Sequence, residues 1–195
     1  MSLTELLLIR HGETDWNRGG RFQGHADPPL NETGREQARA LAQELADAQI
    51  DVVYTSDLAR ARETAEIVAA AIGTDVVALR ELREIDVGEW QGLTWPEIEE
   101  RFPEGARNWH DQGHGWDTGE TYEQLGERIL RALRRIAADH PAQRVLVVGH
   151  GGTIRATRAF LEDTSVAVSR RKSRGIANCE VFRVVTEDGS FRGID

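Results

Sequence analysis

The stretch LLLIRHGE, residues 6–13, runs from four apolar residues directly into an arginine and a histidine. Continuous apolar runs of this kind are typical of parallel strands that helices cover on both faces of a sheet. The remaining predicted strands lie at residues 52–54, 76–79, 145–148 and 179–185. LLLIRHGE therefore predicts a buried strand, at residues 6–9, with reactive side chains at its carboxyl end.

Helical patterns separate these runs. The first predicted helix begins at a capping box of Thr33 and Glu36, and the second is capped by Asp57 and ends near Gly73. A third helix is predicted from Thr94 to Pro103, a fourth from Thr121 to Pro141, and a last one begins at Gly151. The alternation of strands and helices predicts an α/β fold with a mostly parallel central sheet. We expect a single domain over residues 1–195, with an excursion at 101–119 packed over one end of the sheet.

Polar residues follow three of the predicted strands. The first runs into Arg10 and His11, the second leads to Arg60, and the fourth runs into His150 and Gly151. Ligands of open α/β sheets bind at the carboxyl ends of the strands, so these groups are expected to meet at one rim. The planar guanidinium groups of arginines and the backbone N–H groups at the start of a helix both bind phosphate oxygens. The pattern predicts a site for a phosphate dianion.

Composition limits the other possibilities. The chain has 195 residues, 24 of them basic and 33 acidic, with a formal net charge of −9. Net acidity disfavours a general binder of nucleic acid or of anionic membranes. The apolar run at residues 6–9 is too short for a signal peptide, and Cys179 is the only cysteine. We expect a cytoplasmic protein, monomeric or homodimeric, whose partner is a small phosphorylated metabolite.

Four motifs in order resemble the histidine phosphatase superfamily, also called phosphoglycerate-mutase-like. They are RHGETDWN at 10–17, SDLARARETA at 56–65, LREIDVGEWQG at 82–92 and GHGG at 149–152. RHG alone is a modest signal, whereas the four together are strong and cover about residues 6–161. The resemblance implies a three-layer α/β/α fold and chemistry through a phosphohistidine, without a metal ion or another cofactor.

The resemblance also implies roles for individual residues. His11 would attack phosphorus, and Glu84 would protonate the leaving oxygen and then take a proton from water. The phosphate oxygens would be held by Arg10, Arg60, His150 and Asn17, and the substrate side would be lined by Thr14, Gln23, Gly24 and Gly151.

Some assignments compete with plainer interpretations. Glu84 is preferred to its acidic neighbours Glu81, Asp86 and Glu89 only because of its position in the motif. For Arg10 and Arg60, the alternative to phosphate binding is a structural role in ion pairs. Trp109 or Trp116 is expected to line the leaving-group pocket, with lid packing as the alternative. The basic run at 170–174 is interpreted as a solvated loop, with attraction of anionic substrates as the minority interpretation.

The activity is predicted to be phosphatase, with two alternatives. Family mutases carry a longer, arginine-rich insert before GHGG, whereas residues 93–144 are compact here. A compact lid favours hydrolysis over a cofactor-dependent phosphoglycerate mutase. A catalytically idle binding protein is disfavoured because every motif residue is present.

Overall fold

A computed structural model describes residues 3–111, 114–172, 175–187 and 190–193. Its strands form one six-stranded sheet in the order β3-β2-β4-β1-β5-β6. The strands are β1 (Thr4–Arg10), β2 (Val52–Ser56), β3 (Val76–Leu79), β4 (Arg144–Gly149), β5 (Val181–Glu187) and β6 (Ser190–Gly193). The first four run parallel, and β5 and β6 are antiparallel to their neighbours. The predicted α/β fold with a mostly parallel sheet is confirmed.

The pairing of β1 with β4 fixes the centre of the molecule. Arg10 is in register with Gly149, and the backbone N–H of His11 donates to the carbonyl of Gly149 at 3.0 Å. The residues that follow these two strand ends, His11 and His150, are therefore neighbours. The backbone alone brings the two histidines together.

Helices flank both faces of the sheet. They are α1 (Asp15–Arg18), α2 (Glu32–Glu44), α3 (Ala59–Ile72), α4 (Trp95–Arg101), α5 (Pro103–Asp111), α6 (Tyr122–Asp139), α7 (Gly151–Leu161) and α8 (Val166–Lys172), with single 3-10 turns at Arg80–Leu82 and Gly88–Trp90. No helix among the described residues is both long and apolar enough to cross a membrane.

The alternation of strand side chains builds two cores. Leu7 and Ile9 point to one face and pack with α2 and α3, whereas Leu6 and Leu8 point to the other and pack with α6 and α7. All four are essentially inaccessible to solvent. Because both faces are buried, the strand is apolar throughout, and this is the pattern that made it recognisable.

Two predicted helix caps are wrong. Helix α2 begins two residues earlier than a Thr33 cap allows, because the cap is Asn31, whose side chain accepts the backbone N–H of Gly34 at 2.8 Å. Asp57 does not cap α3, since its carboxylate accepts hydrogen bonds from Nε and Nη2 of Arg83, each at 2.7 Å. The caps at Thr94 and Thr121 and the stop at Gly73, with a φ of +74°, are confirmed.

The excursion at 101–119 contains a helix that the sequence analysis missed. Ala106 and Trp109 of this helix, α5, pack on the larger core together with Phe102, which lies just before it. The returning chain crosses α5 so closely that a Cβ on Gly115 would lie 1.9 Å from the carbonyl oxygen of Gly105. Residues 112 and 113 of the predicted excursion lie outside the described residues.

The last predicted strand is also shifted. Its prediction began at Cys179, but Cys179 adopts a positive φ of 58° in a turn, and β5 begins at Val181. A residue in the left-handed region cannot continue an extended strand.

Candidate active site

The ring of His11 is held in one orientation just beyond β1. Its Nδ1 lies 2.7 Å from the carbonyl oxygen of Gly12, an acceptor, so Nδ1 carries the proton and donates it. The other ring nitrogen, Nε2, is then left with its lone pair. The Gly12 backbone is itself anchored, because its N–H donates to Thr64 Oγ1 at 3.0 Å. His11 thus presents a free nucleophilic nitrogen.

The surroundings keep His11 neutral. Burial lowers its pKa well below 6.5, and the positive charges of Arg60 and Arg10 lower it further. The hydrogen bond to Gly12 acts in the opposite direction but is the smallest of the four effects. A neutral imidazole is the form that can attack phosphorus.

His150 lies beside His11 as the topology requires. The two ring centroids are 5.2 Å apart in an edge-to-face arrangement, and His150 is fully buried. Neither ring nitrogen has a hydrogen-bond partner among the described residues. Burial and the charge of Arg60 lower its pKa well below 6.5. His150 is a second neutral imidazole with an unused N–H.

Two arginines complete the positive side of the site. Arg60, fully buried at the start of α3, donates to the carbonyls of Ala26 and Gly24 at 2.7 and 2.9 Å, while its Nε is unpartnered. Arg10 donates to the carbonyl of Ile176. Burial lowers the pKa of both guanidiniums, that of Arg60 to about 10, and the carboxylate of Glu84 opposes the effect. The alternative interpretation of these arginines as structural ion-pair partners is wrong for the described residues, none of which lies in a salt bridge with either.

Glu84 is held against the start of α7. One of its oxygens accepts the backbone N–H of Ile85 at 2.9 Å and that of Gly152 at 3.1 Å. A Cβ on Gly152 would lie 2.1 Å from that oxygen, so only glycine permits this approach. The carboxylate is therefore fixed by main-chain donors on two different elements.

The competing acidic residues have other partners. Glu81 pairs with Arg135 at 3.2 Å, and Glu89 accepts the backbone N–H of Asp117 at 2.6 Å. Asp86 accepts the N–H of Gly88 at 3.0 Å. Of these four residues, Glu84 alone lines the cavity described next.

A cavity of about 440 Å³ opens above His11. It brings together seven of the ten predicted site residues: Arg10, His11, Asn17, Gln23, Gly24, Arg60 and Glu84. Three predicted residues do not line it. His150 is fully buried beside His11, and Gly152 lines the cavity in place of Gly151. Thr14 is also buried, with its Oγ1 3.2 Å from Asn17 Oδ1 and 3.1 Å from Gln23 Oε1.

Thr14 orients the amides that do line the cavity. Its backbone N–H donates to Asn17 Oδ1 at 3.2 Å, so the amide oxygen of Asn17 is occupied and the NH₂ group remains for other acceptors. Thr14 therefore acts through its neighbours, which corrects the prediction that it lines the substrate side.

The structure adds residues that sequence reasoning did not assign to the site. They are Arg155 of α7, Arg170 of α8, Tyr122 and Phe22, all of which line the cavity. Trp109 and Trp116, one of which was expected at the leaving-group pocket, both line the cavity as well. Arg155 lies four residues after Gly151, a helical spacing that could have indicated it. The solvated-loop interpretation is wrong for Arg170, which lies on α8 and is partly buried; Ser173 and Arg174 of the same run lie outside the described residues.

Comparison with known proteins gives these residues a context. Residues 6–193 match the model of the histidine phosphatase superfamily (branch 1). The metal-independent phosphoserine phosphatase of Arabidopsis thaliana is 42% identical over 170 residues, 85% of this chain and 71% of that protein. The chain belongs to the histidine phosphatase superfamily.

Solved structures agree with this assignment. YhfR of Bacillus stearothermophilus superposes with a TM-score of 0.89 at 33% identity, covering 97% of this chain and 95% of that one. A mutant phosphoserine phosphatase of Entamoeba histolytica, solved in complex with phosphoserine, superposes with a TM-score of 0.85 at 25% identity, covering 98% and 95%.

Proposed function

We propose that this protein is a phosphoric monoester hydrolase that cleaves small phosphomonoesters through a phosphohistidine on His11, without a metal ion. One observation carries the proposal. One cavity is lined by a buried imidazole with a free Nε2, that of His11, by the guanidiniums of Arg10 and Arg60, whose charges lower the pKa of His11, and by Glu84. The phosphatase names of the relatives support the same activity.

In the first half-reaction, Nε2 of His11 attacks phosphorus in line with the leaving oxygen. The N–P bond forms as the P–O bond to the alcohol breaks, and Glu84 gives its proton to that oxygen. Arg10 and the unpartnered Nε of Arg60 stabilise the charge on the phosphoryl oxygens. His150 donates its unused N–H to the phosphoryl group once that group is attached to the neighbouring ring.

In the second half-reaction, a water molecule replaces the alcohol. Glu84, now a carboxylate, takes a proton from the water, the O–P bond forms, and the N–P bond to His11 breaks. Inorganic phosphate leaves and the starting protonation states are restored. One carboxyl group serves both steps because they require opposite protonation states.

The experiment follows turnover of 3-phosphoglycerate by phosphorus NMR, with a chelator and a trace of bisphosphoglycerate present. We expect inorganic phosphate to accumulate without the 2-phospho isomer. Rapid isomer formation with little free phosphate would replace the phosphatase by a mutase. No product from any phosphomonoester in a broad panel would favour the idle binding protein.

The role of His11 is tested separately. His11→Ala should abolish turnover, since the ring supplies the nucleophile. Labelled substrate should leave an acid-labile, base-stable phosphoryl group on the wild-type chain and none on the variant. Retention of a tenth of the activity by His11→Ala would contradict the assignment.

A further inference from the structure

Two arginines of the cavity have no part in the proposed phosphate chemistry. Arg155 and Arg170 both line it, and the Nε of each is buried without a hydrogen-bond partner. Among the described residues neither forms an ion pair, whereas Arg21 at the same cavity is neutralised by Glu97 at 3.0 Å. A buried donor atom without a hydrogen-bond partner is costly unless an acceptor meets it.

Arg170 is held rigidly in its position. Its guanidinium carbon lies 3.7 Å from the centre of the Trp109 ring, and its Nη2 donates to the carbonyl of Trp109 at 3.1 Å. Stacking and this single hydrogen bond fix the plane of the Arg170 guanidinium but use few of its five N–H donors. Burial lowers the pKa of Arg170, and the positive charge of Arg155 acts in the same direction.

Arg155 approaches the same point from α7. Its Nη1 lies 3.0 Å from where a Cβ on Gly151 would be, and a Glu84 oxygen lies 3.8 Å from that position. The charge of Arg155 lowers the pKa of both Arg10 and Arg170. Arg155 is thus close to Glu84, the proposed proton donor to the leaving group, and its charge acts on both Arg10 at the phosphate site and Arg170.

The charge of the cavity does not balance with phosphate alone. Arg10, Arg60, Arg155 and Arg170 carry four positive charges, the two histidines are neutral, and Glu84 holds a proton in the proposed first half-reaction, so the net charge is +4 when the ester binds. A phosphate dianion leaves two positive charges unmatched. An anionic group on the leaving group would reduce this excess.

We propose that Arg155 and Arg170 form a subsite for a carboxylate on the leaving group, so that the substrates are phosphomonoesters of hydroxy acids. The planar forks of two guanidiniums suit the two oxygens of a carboxylate. The subsite deepens the proposed phosphatase function and rests on it. Trp109 contributes as the surface on which Arg170 is fixed.

The test compares two substrates that differ at one group. 3-Phosphoglycerate carries a carboxylate where glycerol 3-phosphate carries a hydroxymethyl group. The wild type should show a kcat/KM for 3-phosphoglycerate higher by about 10- to 100-fold, the range expected for hydrogen bonds to a charged group. Arg155→Gln and Arg170→Gln should each remove most of this preference, through KM more than through kcat.

Matched variants control for loss of charge alone. Arg158→Gln removes an arginine from α7 that pairs with Glu180 at 3.3 Å, and Arg171→Gln removes an exposed one from α8. Both should keep the wild-type preference. Arg170→Lys, which keeps the charge but loses the fork, should recover part of it.

Two results would overturn the subsite: equal losses for both substrates in Arg155→Gln and Arg170→Gln, or a wild type that does not distinguish them. A binding measurement separates this from failure of the phosphatase proposal. Calorimetric titration of His11→Ala with the two esters needs no turnover. The subsite is supported if this variant binds 3-phosphoglycerate more tightly than glycerol 3-phosphate, and if the difference is lost in the His11→Ala/Arg155→Gln double variant. Equal binding of the two esters contradicts it even if phosphate is released.

Discussion

Single residues in this site are fixed mainly by main-chain atoms. The ring of His11 is oriented by the carbonyl of Gly12, the Arg60 fork by two carbonyls, and the Glu84 carboxylate by two N–H groups. Main-chain partners lose no side-chain freedom when a substrate binds, so the geometry is set beforehand. The donors that remain unpartnered are those that a phosphate ester would meet.

Glu84→Gln provides the test of this carboxyl group. The amide cannot take a proton from water, so the phosphohistidine should persist. With p-nitrophenyl phosphate, whose leaving group needs little protonation, we expect a rapid burst of nitrophenol stoichiometric with enzyme, followed by turnover slower than wild type by on the order of 10²- to 10⁴-fold.

The controls are two neighbouring carboxylates. Glu81→Gln, at the ion pair with Arg135, should leave steady-state rates unchanged, and so should Asp86→Asn. Both rates are measured by stopped-flow absorbance. A large loss of rate in Asp86→Asn, with little loss in Glu84→Gln, would assign the proton transfer to Asp86 instead of Glu84.

At the scale of elements, the strand ends and helix starts are what the sequence indicates best. Buried parallel strands are uniformly apolar, so residues 6–9 and 145–148 stood out, and the parallel order placed His11 near His150. Helices α5 and α8 were missed because α5 is short, polar and contains Gly105, and α8 has one turn of charged residues. Whether a residue of α5 or α8 reaches the cavity depends on how these helices pack in the folded protein. Arg170 could therefore not be assigned to the cavity from the sequence.

The close approach between α7 and Glu84 predicts the effect of one methyl group. In Gly152→Ala the new Cβ would lie 2.1 Å from the Glu84 oxygen, so the carboxylate must move. A displacement of about 1 Å in an active site can cost about 100-fold in rate, and we expect a kcat loss of that order with the fold intact.

Gly126→Ala is the matched control. It lies within α6, where the new Cβ would meet only the side chain of Val166, at 3.3 Å. Its activity should stay close to the wild type, and its thermal stability should not fall greatly, because alanine favours the helix. Comparable kcat for Gly152→Ala and the wild type would show that Glu84 tolerates the methyl group.

At the scale of the whole molecule, the sequence predicted the fold class, the family and most of the phosphate side of the cavity. These features follow from contiguous motifs and from strand order. The leaving-group side was predicted only through Trp109 and Trp116, because it is assembled from α5, α6, α7 and α8, which are distant in sequence. Thr14 and Gly151 differ from prediction: Thr14 is buried behind Asn17 and Gln23, to which it is hydrogen-bonded, and Gly152 lines the cavity where Gly151 was expected.

The two buried histidines predict how the stability of the whole protein depends on pH. Their pKa values in the folded chain lie well below 6.5, the value for an exposed histidine. Below pH 6.5 the unfolded chain therefore binds more protons than the folded chain, and the free energy of unfolding falls as the pH falls. The loss is about 1.4 kcal/mol per pH unit for each histidine until the folded pKa is reached.

Urea unfolding just above pH 6.5 and about one unit below it measures this slope. His150→Gln removes one of the two buried histidines. It should halve, approximately, the part of the slope of unfolding free energy against pH that the two histidines contribute, whatever the variant's overall stability. The same slope in His150→Gln and the wild type would contradict the prediction.

The central place of β1 has a consequence for synthesis of the chain. Strand β1, which carries His11 at its end, precedes both of its neighbours in the sheet, Arg144–Gly149 and Val181–Glu187, and it therefore leaves the ribosome well before them. Pairings this distant in sequence form slowly, because a long loop must close first. A nascent chain has nothing to hold His11 beside His150 until translation has passed residue 150. Translation products that terminate before residue 150 should therefore be inert toward phosphorylated metabolites.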